Sequence, residues 1–527
     1  MRNVFSAKNC SREIALILLL TLSIVSFAAE KKPWTFMVYM CADNNLDPQA
    51  PKDINRLEKV GSGSNLNIVV EYDNSGSSDT SATGEANAKS KLYFVTKDSD
   101  ENTISSKILQ SGGEINMGDP KELVKFVSYC HQNYPAEKYC LVLWNHGGGI
   151  NDRNSRRTPG RGICYDDTSN DFLTNEELRI ALTESKAVIG KSIDLVEMDA
   201  CLMGMIEVAY QLKDCASYVT FSEDTEPVDG IPYDKIAEIV SGNPSVVDLS
   251  KGIVSEFKVY YEAHQSTYQN GGVTKSAIDN SKIAELAYAV DGIAKALTAK
   301  IADHKDSIKQ SRENSQTYGD THSYTPSYTD LKHWLTNLKT ASKDESLKRQ
   351  IGTFEAAFDK AVLASTTLGE ADKNSLGLCV YFPPDKDTYQ QQVESLLFNK
   401  DTSWVKFLKA YYGGVGPAPQ PTGETRIWSD WLAELRYSEK ELAHADRSSD
   451  ISYEARMDSA SLHDLALDNL SVAIENHDYK SVSAFLSLSR QLSGERGLAA
   501  VTYSEVKNDL LAIISQTPGF KLTELSQ

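Results

Sequence analysis

A thiol and an imidazole carried at the ends of two buried strands can do nucleophilic acyl chemistry, and Cys201 and His146 are such a pair. A cysteine nucleophile needs a base or proton donor within reach, and an amine leaving group needs a proton. Cys201 follows an apolar run, residues 193–198, that stops at Asp199; Met205, Val208, Ala209 and Leu212 then recur at helical spacing. This predicts strand, tight turn and helix, with the thiol near a helix N-terminus whose dipole favours the thiolate. His146 follows the run 139–144 (YCLVLW) and alone among nine histidines ends a buried-strand pattern. Gly147, Gly148 and Gly149 come next, and amides without side chains approach a carbonyl closely. The N–H groups of Gly147 and Cys201 form the expected oxyanion hole. Asp199, two residues before Cys201, faces the nucleophile's side, and Asp229 lies in the loop after the next strand. Two carboxylates there make an anionic pocket for a guanidinium or ammonium group. Each residue also has a plain reading: an inert core thiol, a loop histidine, a capping aspartate. The pair on two strand ends favours chemistry; Cys41, Cys130, Cys140, Cys164, Cys215 and Cys379 keep the core reading.

The elements that must position these groups alternate. Residues 35–41 and 66–72 read as buried strands around a helix over 48–60, and 92–96 as a short edge strand. Asp119-Pro120 with Glu122, and Thr174 with Glu177, are helix starts. Residues 218–221 form the next strand, Val273–Asp279 another, a helix covers 282–297, and 375–382 is a late strand stopped by Pro383-Pro384. The stretch between those last two is mostly helical and polar. Strands alternating with helices predict an α/β fold with a mostly parallel sheet between helical layers.

The chain of 527 residues exceeds one ordinary core. Its net charge of -19 argues against general nucleic-acid binding and suits basic substrates or bound cations. Arg2, Lys8 and Arg12, an apolar run over 14–27, and Ala28-Ala29 read as a secretory signal, residues 1–29, too short to span a membrane. No membrane span is expected after its removal, and an exported product, periplasmic or secreted, follows. Removing Cys10 with the signal leaves an odd number of cysteines, so at least one thiol is free or shared between chains. Residues 413–423 are a Gly/Pro linker, and 424–527 a small helical module without a functional motif. Asp166, Asp167, Glu223, Asp224 and Glu226 offer oxygen ligands for calcium but lack EF-hand spacing.

The blocks 34–47 (WTFMVYMCADNNLD), 141–149 (LVLWNHGGG), 165–169 (YDDTS), 198–204 (MDACLMG) and 222–233 (SEDTEPVDGIPY) together resemble the clostripain-like cysteine peptidases of the caspase and gingipain clan. The resemblance spans about residues 32–412, within a domain drawn at 30–412. It implies a caspase-like α/β/α sandwich and endopeptidase cleavage of proteins and peptides after Arg or Lys by a Cys/His dyad. It places the nucleophile at Cys201, the histidine at His146 and the acidic pocket at Asp199 and Asp229. It also implies a calcium requirement, with no ligand set, and self-cleavage in the loop after the histidine. That loop carries Arg153, Arg156, Arg157 and Arg161; a solvated basic loop is the alternative. Relatives commonly have Gly-Asp-Gly-Trp-Pro-Tyr where this chain has Val228-Asp229-Gly230-Ile231-Pro232-Tyr233, which changes the pocket wall. A non-catalytic binding protein that keeps the fold, or another cysteine hydrolase or transpeptidase, are the competing readings.

Overall fold

Runs apolar on both faces need cover on both sides, which parallel strands between two helical layers provide. In the computed structural model, residues 31–75, 89–150, 162–268, 271–319 and 327–413 are described. The strands are β1 (Lys32–Ala42), β2 (Leu66–Asn74), β3 (Ser90–Phe94), β4 (Lys107–Gly112), β5 (Ala136–Trp144), β6 (Ile163–Asp166), β7 (Asp171–Leu173), β8 (Ile193–Asp199), β9 (Ala216–Phe221), β10 (Val273–Asp279), β11 (Thr317–Tyr318), β12 (Tyr328–Asp330), β13 (Val362–Leu368) and β14 (Cys379–Tyr381). Nine of them form one sheet in the order β13-β10-β9-β8-β5-β1-β2-β3-β4. The central five, β9 to β2, are parallel, and the two strands beyond each end are antiparallel.

Alternate side chains feed two cores. On one face Met37, Leu141, Leu143, Val196 and Met198 pack among helices that include Pro120–Asn133, Asn175–Ile189 and Ile283–Ala299. On the other, Phe36, Val38, Val142 and Leu195 pack against Ala50–Glu58, Tyr233–Ser241 and Val246–Ala263. Both expected helix starts are present: Asp119 accepts from the Lys121 N–H ahead of Pro120, and Thr174 and Glu177 form a reciprocal capping box.

Two expectations change and a third gains a strand. The strand near residue 92 is not an edge, because β4 pairs outside it. The stretch before residue 375 is mostly helical, as expected, and also holds β13, which closes the far end of the sheet against β10. The late strand shrinks to β14 and joins a separate three-stranded sheet with β11 and β12. β4 and β13 are only partly buried and lack an unbroken apolar run, so periodicity does not reveal them. The signal at 1–29 and the module at 424–527 lie outside the described residues, as does all but Gly413 of the linker at 413–423. Among the described residues no helix is long and apolar enough to cross a membrane.

Candidate active site

Ligand sites in open α/β sheets form beyond the carboxyl ends of the strands. Here β1, β5 and β8 end level, with Met40 paired to Trp144 and Trp144 paired to Asp199. Asn145 ties the three ends: its amide group donates to the Cys41 and Tyr165 carbonyls, and its backbone N–H to the Asp199 carbonyl at 3.3 Å. One residue further stands His146, partly exposed, and two beyond Asp199 stands Cys201. Gly147 presses on the Cys201 backbone so closely that a Cβ there would lie 2.3 Å from the Cys201 carbonyl oxygen. Only glycine permits that approach. The segment carrying His146 and the segment carrying Cys201 therefore meet at Gly147.

His146 Nε2 lies 2.6 Å from Asn45 Oδ1, and its ring meets Tyr165 edge-on at 6.4 Å. An amide oxygen only accepts, so this contact places the proton on Nε2. Asn45, in the turn after β1, was not singled out by sequence; an asparagine in a turn is too common to signal a role.

The expected strand, turn and helix are present; what is corrected is the thiol at the helix N-terminus. The helix is Ile206–Gln211, capped by an extended Met205. Leu202 turns through φ 62°, and Gly204 lies against the Ser222–Glu223 backbone, which delays the helix. The thiol instead accepts an N–H from Glu226 at 3.3 Å. Burial pushes the Cys201 thiol up to about 12; the Glu226 N–H pulls the other way, and the charges of Glu226, Asp224 and Asp199 add to the rise. The resting thiol is thus protonated.

Asp199 is 6% exposed. It accepts the Ile231 N–H at 3.2 Å and the Tyr233 hydroxyl at 2.7 Å. Gly230, at φ 54°, cradles it; a Cβ there would stand 2.6 Å from Oδ2. Ile231, where a tryptophan was expected by resemblance, is fully buried and contributes its N–H to the carboxylate. Asp229 opens the same segment. Its carboxylate accepts the Tyr260 hydroxyl at 3.1 Å, and its carbonyl accepts from Arg56 at 2.9 Å. Arg56 also donates to Tyr260 at 2.9 Å, so a cation already stands behind this acid.

Beneath Cys201 lies a charged group that sequence reasoning missed. Fully buried Lys275 reaches Glu197 at 2.5 Å, Glu226 at 2.8 Å and the Met198 carbonyl at 3.2 Å. Burial works against the Lys275 charge, but Glu197 and Glu226 outweigh it and raise its pKa. The network runs from β10 to the residue whose N–H meets the thiol. A lysine in VTKSAID and a glutamate in IDLVEMD, each inside a buried strand, were the available signals. Replacing Lys275 by methionine leaves two buried carboxylates without their cation and should cost about 3–5 kcal/mol of stability. Urea denaturation measures this; a loss under about 1 kcal/mol would show that the ion network is dispensable.

The calcium group drawn from sequence does not assemble. Glu223 accepts the Gly377 N–H, Asp224 sits beside Asp372 and Glu226 is held by Lys275. Each charge is used where its own loop packs. Asp166 instead faces Asp43, Asp73 and Glu114, with oxygens within 4.8 Å of one another. Asp167 donates its N–H to the Asp43 carbonyl at 2.8 Å. Arg153, Arg156, Arg157 and Arg161 lie outside the described residues. All cysteines among the described residues are free, and only Cys201 is not buried.

A profile of the clostripain family matches residues 38–411. Clostripain of Hathewaya histolytica is 36% identical over a match covering 41% of this chain and 44% of that protein, so the match spans less than half of the relative's length. Among solved structures, a secreted C11 cysteine protease from Bacteroides thetaiotaomicron bound to an irreversible peptide inhibitor is 19% identical with a TM-score of 0.50. It covers 72% of this chain and 99% of that one. An inactive zymogen C11 protease from Parabacteroides distasonis is 21% identical with a TM-score of 0.51, covering 72% of this chain and 98% of that one. At these identities the likeness is one of fold: a large, mostly parallel central sheet with flanking helices.

Proposed function

The chain belongs to the clostripain family, and from that premise we propose that it is an exported cysteine endopeptidase cutting after Arg or Lys. The observation that carries the reading is Gly147 lodged against the backbone of Cys201, the one cysteine among the described residues that is not buried, so the segment carrying His146 meets the segment carrying the thiol. The Cys201 sulfur attacks the scissile carbonyl carbon while its proton passes to His146 Nδ1. The N–H groups of Gly147 and Cys201 receive the developing oxyanion. The C–N bond breaks as His146 returns a proton to the leaving amine. Water, deprotonated by the same imidazole, then hydrolyses the thioester and restores the thiol.

Asp199 receives the basic P1 side chain, with Asp229 at the pocket rim. A bound guanidinium offsets the Asp199 charge, which otherwise helps to hold the thiol protonated, so the substrate's own cation favours its attack. Arg153, Arg156, Arg157 and Arg161 match the proposed specificity as self-cleavage sites, activity requires calcium, and residues 1–29 direct export. Competing peptides from a mixed library incubated with the full chain should be cut after Arg and Lys. Intact mass should show the wild type, but not Cys201→Ala, split between residues 153 and 162. Cleavage after uncharged residues alone would overturn the specificity; a wild-type chain left whole in calcium would overturn self-cleavage.

A further inference from the structure

At the carboxyl ends of β1 and β2, beside the proposed active site, four carboxylates converge. Asp43, Asp73 and Asp166 are buried and Glu114 stands at the exposed rim. Repulsion between such charges disfavours gathering them in the interior without a counterion. Asp73 is fully buried, and among the described residues neither of its carboxylate oxygens has a hydrogen-bond partner, nor has Asp43 Oδ2. The nearby Lys89 ammonium donates to the Ser75 carbonyl at 2.9 Å. Asp166, by contrast, is already oriented by the N–H groups of Met117 at 2.9 Å and Ser169 at 2.7 Å. An unpartnered, fully buried carboxylate turned toward three others is a site prepared for a cation.

We propose that Asp43, Asp73, Glu114 and Asp166 bind one calcium ion. The donors are all hard oxygens, without the nitrogen or sulfur that zinc prefers. Opposite oxygens around calcium lie about 4.6–5.2 Å apart, against about 4.1 Å around magnesium. Oxygens gathered within 4.8 Å can share the larger ion with little movement of the strands.

The ion reaches the proposed catalytic histidine through three consecutive residues. Asp43 ligates it, Asn44 donates to the Cys41 and Tyr165 carbonyls at 3.1 and 3.0 Å, and Asn45 Oδ1 meets His146 Nε2. Calcium therefore fixes the turn that orients the imidazole. This last link rests on the peptidase reading; the binding does not.

The test uses the full chain carrying Cys201→Ala, so that no turnover is involved. Calorimetric titration of the metal-free protein should show one calcium per chain, with a calcium-dependent rise in melting temperature. Asp73→Asn and the exposed Glu114→Gln should each weaken binding roughly tenfold or more. In chelator, Asp73→Asn should melt no lower than its parent, because it removes repulsion; this separates lost binding from lost folding. No calcium heat, unchanged affinity in both variants, or magnesium binding as tightly as calcium would overturn the site. None of these results depends on peptide hydrolysis, and a failure of hydrolysis would leave them standing.

Discussion

Replacing Cys201 by alanine should lower hydrolysis of an arginine-amide reporter by roughly 10⁴-fold or more, with the melting temperature little changed. The fold loses little because Cys201 is a small residue of intermediate burial whose sulfur makes polar contacts with one backbone unit, accepting from the Glu226 N–H and donating weakly to the Glu226 carbonyl. The chemistry loses its nucleophile, and no other thiol can substitute, since the remaining cysteines of the described residues are buried. The same sulfur gives the wild type a pH signature. With the thiol raised to about 12, its thiolate fraction grows tenfold per pH unit throughout the range from 7 to 9. Alkylation of Cys201 by iodoacetamide should climb at that full slope, whereas an unperturbed thiol, with a pKa near about 8.5, begins to level off. Retained hydrolysis in Cys201→Ala would remove the assignment; a plateau below pH 9 would remove the protonated resting state.

Replacing Asp199 by asparagine should lower kcat/KM for an arginine P1 substrate by roughly 10²–10³-fold and leave a norleucine substrate within about threefold. The carboxylate is met by two neutral donors, the Ile231 N–H and the Tyr233 hydroxyl, which orient it without cancelling its charge. A guanidinium entering against it forms a charge-assisted pair in a largely desolvated place, where such pairs are strong. Asparagine keeps the size and one acceptor oxygen but loses the charge. The substitution also eases repulsion among Asp199, Glu197, Glu226 and Asp53, so stability should not fall. An unchanged ratio of arginine to norleucine rates would show that Asp199 does not read the P1 charge. Asp229, tied to Tyr260 and backed by Arg56, should give a smaller effect when replaced.

These predictions rest on different amounts of sequence information. The parallel strands were legible because each is a short apolar run closed by turn residues, a pattern that depends only on burial from both sides. His146 and Cys201 were legible because the same runs end at them. The capping residues of two helices were legible because a cap is a local hydrogen bond. The antiparallel strands β4 and β13 were not, since their half-exposed residues follow no apolar period and form strands only because a neighbouring edge is there to pair with.

The site divides in the same way. Sequence alone determined which residues can react: a thiol, an imidazole, glycines and two aspartates, each at the end of a strand or in the loop beyond it. Tertiary structure decided what surrounds them. It kept the thiol off the helix N-terminus and set a backbone N–H of Glu226 against it. It set Lys275, from β10, under that loop, and Asn45, from the end of β1, against His146. It dispersed one set of acids and collected another, Asp43, Asp73, Glu114 and Asp166, from four separate segments. Local sequence encodes hydrogen bonds and apolar periods within a few residues. Electrostatic environment is a sum over groups brought close by folding, and strand order, which no local pattern carries, sets that sum.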